Sequence, residues 1–164
     1  MRRLIEFVRA QFALDAEGIH GIAHWVRVRS TGLRLADETG ARADVVELFA
    51  WLHDSRRRDD GHDPDHGLRA VELATECRGR LFQLDDEGFE LLCHAMEHHT
   101  HGRVDGPLTA QVCWDADRLD LSRLGIRPRR ELLCTDPARR VETIERAWRS
   151  GQAWAAWRRS RRRR

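Results

Sequence analysis

With 164 residues, 41% of them hydrophobic and 34% charged, the chain has the size and balance of one soluble globular domain, and no apolar run approaches the ~20 residues of a membrane span. It contains no Lys, Tyr or Asn, which excludes P-loop and Schiff-base chemistry, since both need a lysine amine. Net charge is +2, but the last seven residues hold six of the 29 basic groups and leave 23 against 27 acidic residues, an acidic body with a cationic end.

Residues 2–13 place Leu4, Ile5, Val8 and Phe12 at helical spacing and predict an amphipathic first helix. Glu6 and Arg9 interrupt it, so it lacks the apolar segment of a signal peptide, and the cytoplasm is the expected compartment. A second helix is expected over 19–37, with Ile22, Val26, Leu33 and Leu35 as apolar contacts, Gly40 as its end, and His20 and His24 on one face. The third opens at Ala43 or Asp44. Its residues Val45, Val46, Leu48, Phe49, Trp51 and Leu52 make it apolar nearly all round, which suits the middle of a bundle. It runs straight into His53 and Asp54, two strongly hydrated groups that need partners if they are buried.

The polar stretch from Arg56 to Pro64 reads as a loop at the rim of any site there. A fourth helix follows over 65–78, with Asp65 as N-cap, Leu68, Val71, Leu73 and Ala74 inward and His66 in its first turn. The fifth begins near Asp85 or Asp86, carries Phe89, Leu91, Leu92, Cys93 and Met96, and reaches His94, Glu97, His98 and His99 before breaking at Thr100 to Pro107. A sixth, over 108–122, bears Asp115, Asp117 and Asp120 beside Val112, Cys113, Leu119 and Leu121. Thr135-Asp136-Pro137 starts a long final helix through Val141, Ile144, Trp148, Trp154 and Trp157, with Gly151 as its candidate kink.

No stretch alternates with period two for long enough to be a strand. The fold class is therefore all-α, a single-domain bundle of six to seven helices over residues 1–157. Residues 158–164 are expected to be a disordered, solubilising Arg-rich tail; binding of nucleic acid by counterion release is the less favoured reading of it. Cys77, Cys93, Cys113 and Cys134 are far apart with no Cys-x-x-Cys pair and read as reduced thiols among apolar neighbours.

Eight of the nine histidines fall near helix ends or loops, more than packing explains. His24, His53, Asp54 and Asp117 together make a nitrogen and oxygen ligand set without thiolate, suited to Mn, Fe, Ni, Co, Zn or Mg. Arg27, Arg56, Arg57 and Arg118 are available to hold phosphate through bidentate contacts, although any single one is equally well read as a solvated side chain.

The order of these motifs carries a resemblance. His20-Gly-Ile-Ala-His24-Trp-Val-Arg27-Val28, then an apolar run into His53-Asp54, then Trp114-Asp115-Ala116-Asp117-Arg118-Leu119, resembles the HD superfamily of metal-dependent phosphohydrolases over residues 18–125. The resemblance implies an HD-type helical domain, metal ligands at His24, His53, Asp54 and Asp117, and one or two divalent ions per chain. It further implies hydrolysis of a phosphate ester, with a nucleotide as the expected substrate. His66, His98 and His99 fall where some members bind a second metal or act on the substrate. Asp115 is expected to orient a ligand or substrate, Arg27 to meet phosphate, and His20 to support the site, so the expected catalytic set is Asp54, His66, His98, His99, Asp115 and Arg27. Asp115 and Asp120 compete with Asp117 for the last ligand position, and His62 and His101 read as loop residues. The absence of Tyr removes the Gly-Tyr-Pro element of the branch that cleaves cyclic dinucleotides. Two other readings fit the same residues: a non-catalytic metal- or nucleotide-binding module acting through a partner or nucleic acid, and oxygen chemistry at a di-iron centre. Pairing of the chain into a homodimer is left open, and no membrane partner is expected.

Overall fold

A computed structural model describes residues 1–161. In chain order it consists of α1 (Arg2–Gln11), α2 (Ile22–Thr39), α3 (Ala43–Leu52), α4 (His66–Cys77), α5 (Asp86–His98), α6 (Leu108–Asp120), a 3-10 turn (Leu121–Leu124), a second one (Arg130–Leu132), α7 (Asp136–Arg139) and α8 (Val141–Arg161). No strand occurs among the described residues, and no helix there is long and apolar enough to cross a membrane.

The architecture follows from α3. Val45, Val46, Leu48, Phe49, Ala50, Trp51 and Leu52 are all buried, so this helix must be surrounded on every side. It is: α2, α5 and α6 pack along it, and α1 and α4 close the remaining faces. The core layer built this way includes Trp25 and Val28 from α2, Leu92 and Met96 from α5, and Trp114 and Leu119 from α6, each of them shielded from solvent. Trp114 also satisfies its indole, whose Nε1–H donates to the Ala95 carbonyl at 3.0 Å. Asp85 caps α5 by accepting the Gly88 amide at 2.7 Å, while Asp65 makes no such bond to α4.

Some expectations need correction. Leu68 is 49% exposed and Val26 48%, so these two lie outside the buried faces, while Leu73 and Ala74 of α4 and Leu35 of α2 are buried as expected. In α4 the inner face is Ala70, Leu73, Ala74 and Cys77, because Gly67 brings the helix against α5 in that rotation. A Cβ at Gly67 would lie 2.4 Å from the Met96 carbonyl oxygen, closer than any real contact. Gly67→Ala therefore has to push α4 off α5, and urea unfolding is expected to show a loss of about 2 kcal/mol. A variant within 0.5 kcal/mol of wild type, the spread of unremarkable surface changes, would mean that the helices approach less closely.

The final helix is two helices, not one. Arg140 is extended, with φ −66° and ψ 140°, so the turn begun at Pro137 stops and α8 restarts at Val141. This interruption, which sets off the short α7, is why the described residues form eight α-helices where about six to seven were expected. Gly151 does not interrupt α8. It lets α8 lie on the turn at Leu121–Leu124, where a Cβ would come within 2.6 Å of the Arg123 amide nitrogen. The helix also continues through Arg161, four residues into the stretch expected to be disordered, and residues 162–164 of the expected tail lie outside the described residues. Cys77, Cys113 and Cys134 are buried and Cys93 half-buried, all reduced. Burial raises the Cys134 thiol to about 12, which leaves it inert near neutral pH.

Candidate metal centre

Five helices end, begin or pass at one point. His24 comes from the first turn of α2, His53 and Asp54 from the C-terminal end of α3, His66 opens α4, His99 closes α5 and Asp117 lies in the last turns of α6. His24, His53, Asp54, His66 and His99 are all buried, where polar groups need partners.

The ring nitrogens of the four histidines are sorted by what they face. His24 Nδ1 lies 2.7 Å from Asp120 Oδ2, His53 Nδ1 3.1 Å from the Phe49 carbonyl, and His99 Nδ1 2.6 Å from the Met96 carbonyl, while His66 Nδ1 faces the Asp63 carbonyl. Carbonyl and carboxylate oxygens only accept, so each Nδ1 carries the proton and donates it. Each Nε2 is then a bare lone pair, and all four point to the same place.

They form two groups that share one carboxylate. In the first, His24 Nε2 and His53 Nε2 are 3.1 Å apart, and His24 Nε2 is 3.4 Å from both Asp54 Oδ2 and Asp117 Oδ1. In the second, His66 Nε2 and His99 Nε2 are 2.8 Å apart and stand 3.1 and 3.7 Å from Asp54 Oδ1. Asp54 thus faces one group with each oxygen. The ligand atoms His24, His53 and Asp117 offer lie within 4.8 Å of one another, and so do those of Asp54, His66 and His99.

Buried acceptors facing acceptors repel unless a cation lies between them. The donor set therefore fits divalent metal: imidazole and carboxylate, no thiolate, Nε2 atoms turned inward, Nδ1 held from behind. Titration behaviour reports the same demand for positive charge. Burial opposes protonation of His24, yet Asp120 and Asp54 outweigh it and raise its pKa. At His99 burial is outweighed by Asp54 and Asp117. His53, for which burial dominates, falls to about 3 and stays neutral.

Asp120 is what keeps His24 in place. Besides holding His24 Nδ1, it takes two bonds from Arg27, Nε to Oδ1 at 2.6 Å and Nη2 to Oδ2 at 3.0 Å. The Arg27 guanidinium lies over the Trp154 ring of α8 at 4.9 Å. Asp120→Asn keeps the shape but replaces the carboxylate that fixes the tautomer, and divalent-metal affinity is expected to fall roughly 10- to 100-fold by calorimetric titration. Unchanged affinity would show that the imidazole is oriented without it.

The remaining expected residues divide sharply. Arg27 is corrected from a phosphate contact to this rear position, because Asp120 and Trp154 claim both its edge and its face. Asp115 is corrected as well. It lies on another face of α6, fully buried, and accepts the Cys134 amide at 2.6 Å, the Thr135 amide at 2.8 Å and the Thr135 hydroxyl at 2.7 Å, so it anchors a chain segment and orients no ligand. His98 turns away from the centre, meets His94 edge to face at 4.6 Å between ring centroids and sets its Nδ1 3.3 Å from His101 Nδ1. Arg56 donates to Gln11 on the far side of the loop. Arg57, in contrast, reaches in: its Nη1 lies 3.2 Å from His66 Nε2 and 3.5 Å from Asp54 Oδ1.

Above the metal-ligand groups opens a cavity of about 390 Å³. His20, Asp54, Arg57, His99 and Asp117 form its floor, and the chain from Leu121 to Leu133 contributes a wall. His20 is buried, and its Nδ1 lies 2.8 Å from Asp60 Oδ1. Arg118 lines the cavity too, but its guanidinium donates to the carbonyls of Leu132 and Arg103. Of the wall residues only Leu121 was named from the sequence, as an apolar contact of the sixth helix; scattered aliphatics in a loop carry no periodic signal. Asp120 was within reach: three residues after Asp117, it shares that residue's helix face.

No protein-family model and no curated protein matches the chain. Among solved structures, a predicted HD superfamily hydrolase from an uncultured Thermotogales bacterium is similar, with a TM-score of 0.70 and 24% sequence identity over 90% of this chain and 84% of that one. The likeness shows that this chain has the HD-type all-α fold.

Proposed function

We propose that the protein is a metal-dependent phosphoester hydrolase of the HD superfamily. The observation that carries this reading is the convergence of four imidazole lone pairs and two carboxylates at one point, of which Asp54, His99 and Asp117 open on the floor of a cavity of about 390 Å³. His24, His53, Asp54 and Asp117 would hold one divalent ion, and Asp54, His66 and His99 a second. A divalent ion so held supplies a water of lowered pKa and neutralises charge on phosphoryl oxygens.

The rest is the work of the chain. Arg57 is the cation placed to receive a phosphoryl oxygen, with Nη1 aimed at the floor while its Nε and Nη2 are tied to the carbonyls of Asp59 and Gly61. Asp120 and Arg27 keep the His24 Nε2 turned inward. His20 lines the same cavity with Nδ1 held by Asp60, which leaves Nε2 as its ring nitrogen able to take up or release a proton.

The test is hydrolysis by the purified chain loaded in turn with Mn, Mg, Co or Ni, on 4-nitrophenyl phosphate and on nucleoside mono-, di- and triphosphates. Turnover that a chelator abolishes and added metal restores is expected. No turnover of any ester with any of the four ions overturns the proposal and leaves a metal-binding module.

A further inference from the structure

The floor of the cavity is explained by the metal-binding groups; its wall is not. Leu121, Leu124, Ile126, Pro128, Leu132 and Leu133 all line it. Three of them remain open to solvent, Leu124 at 40%, Ile126 at 52% and Leu132 at 44%. Large aliphatic side chains left exposed beside the most polar point of the molecule mark a surface that something apolar covers. The segment is also held in position: Asp115 takes three bonds from Cys134 and Thr135, and Arg118 donates to the Leu132 carbonyl.

What the cavity lacks is equally informative. Among the described residues no Phe, Tyr or Trp lines it; its only rings are the imidazoles of His20 and His99 on the floor, and Thr100 is its one hydroxyl. A nucleobase is held by a stacking platform and by groups that read its edge. The arginines at the upper rim are already engaged. Arg127 pairs with Glu145 and lies over Trp148, Arg129 pairs with Glu131, and Arg118 is spent on carbonyls.

Resting on the phosphohydrolase reading above, we infer that the substrate is a phosphate monoester of an aliphatic alcohol, its hydrocarbon chain lying along Leu124, Ile126 and Leu132 and its phosphate on the floor beside Arg57. In the reaction, water oxygen forms the new bond to phosphorus and the bond from phosphorus to the alkyl oxygen breaks. The alcohol leaves with one proton, and inorganic phosphate carries the remaining oxygen and proton. A cavity of about 390 Å³ is at the small end of ligand pockets, room for a phosphate and a short chain.

The experiment compares n-alkyl phosphates from ethyl to octyl with nucleoside 5′-monophosphates, using the metal-loaded full chain and 4-nitrophenyl phosphate as reference. The expected result is a kcat/KM that climbs about fourfold per methylene until the wall is covered, the ratio that burial of one methylene supplies, and that passes the nucleotides. In Ile126→Ser the climb is expected to flatten, with octyl phosphate losing at least tenfold more than ethyl phosphate. A flat alkyl series, or nucleotides cleaved faster than every alkyl ester, overturns this inference and leaves the hydrolase standing. Failure to cleave any ester, 4-nitrophenyl phosphate included, overturns both.

Discussion

Asp54→Ala is expected to strip the protein of bound divalent metal and to lower kcat/KM by roughly a thousandfold or more, the several kcal/mol that metal-assisted stabilisation contributes. Asp54 is the one residue whose two oxygens face both groups, Oδ2 toward His24 and His53 and Oδ1 toward His66 and His99. Losing a ligand confined to one group would leave the other intact; losing Asp54 removes negative charge from both. Helicity should hardly change, because the side chain lies beyond the last hydrogen-bonded turn of α3 and supports no helix. The measurements are metal content by emission spectrometry after desalting, far-UV circular dichroism, and hydrolysis of 4-nitrophenyl phosphate. A variant that kept stoichiometric metal would overturn the ligand assignment, whatever its activity.

Asp115→Ala should do the opposite. Two backbone amides and a hydroxyl, all buried, lose their acceptor together, and each unsatisfied donor costs about 1–3 kcal/mol. Stability is expected to fall by roughly 3–5 kcal/mol, or about 10 °C in Tm for a chain of this size. Burial raises the Asp115 carboxyl while the three donors pull it down, and the net shift is upward. The site would then be harmed indirectly, since the anchor of the Leu121–Leu133 wall is gone, but metal stoichiometry at low temperature should match wild type. Loss of metal with unchanged Tm would restore Asp115 to the role of a ligand-orienting group.

The contrast between these two aspartates shows how far local pattern reaches. His53 and Asp54 were legible because an apolar run that ends in two hydrated groups needs a compensating partner. Asp115 and Asp117 stand on different faces because two residues turn a helix by about 200°, whereas Asp117 and Asp120 differ by only about 60°. Helical geometry could thus set Asp115 aside. It could not tell which of the other two faces the Nε2 atoms and which holds the imidazole from behind, since both look the same way and differ only in what lies opposite. His98 and His99 pose the same problem at a helix end, where one residue of continuation decides which ring turns inward.

Helix identity, the central place of α3 and the pairing of the His-Asp doublet with an upstream imidazole could be read from the order of the amino acids, because hydrophobic period and side-chain chemistry are local properties. The break at Arg140, the straight passage of α8 over Ser122, the rear position of Arg27 and the aliphatic wall beside the floor could not. Each depends on how far apart two remote segments come to rest, and that distance is set by the sum of many weak contacts across the core rather than by any residue's own preference.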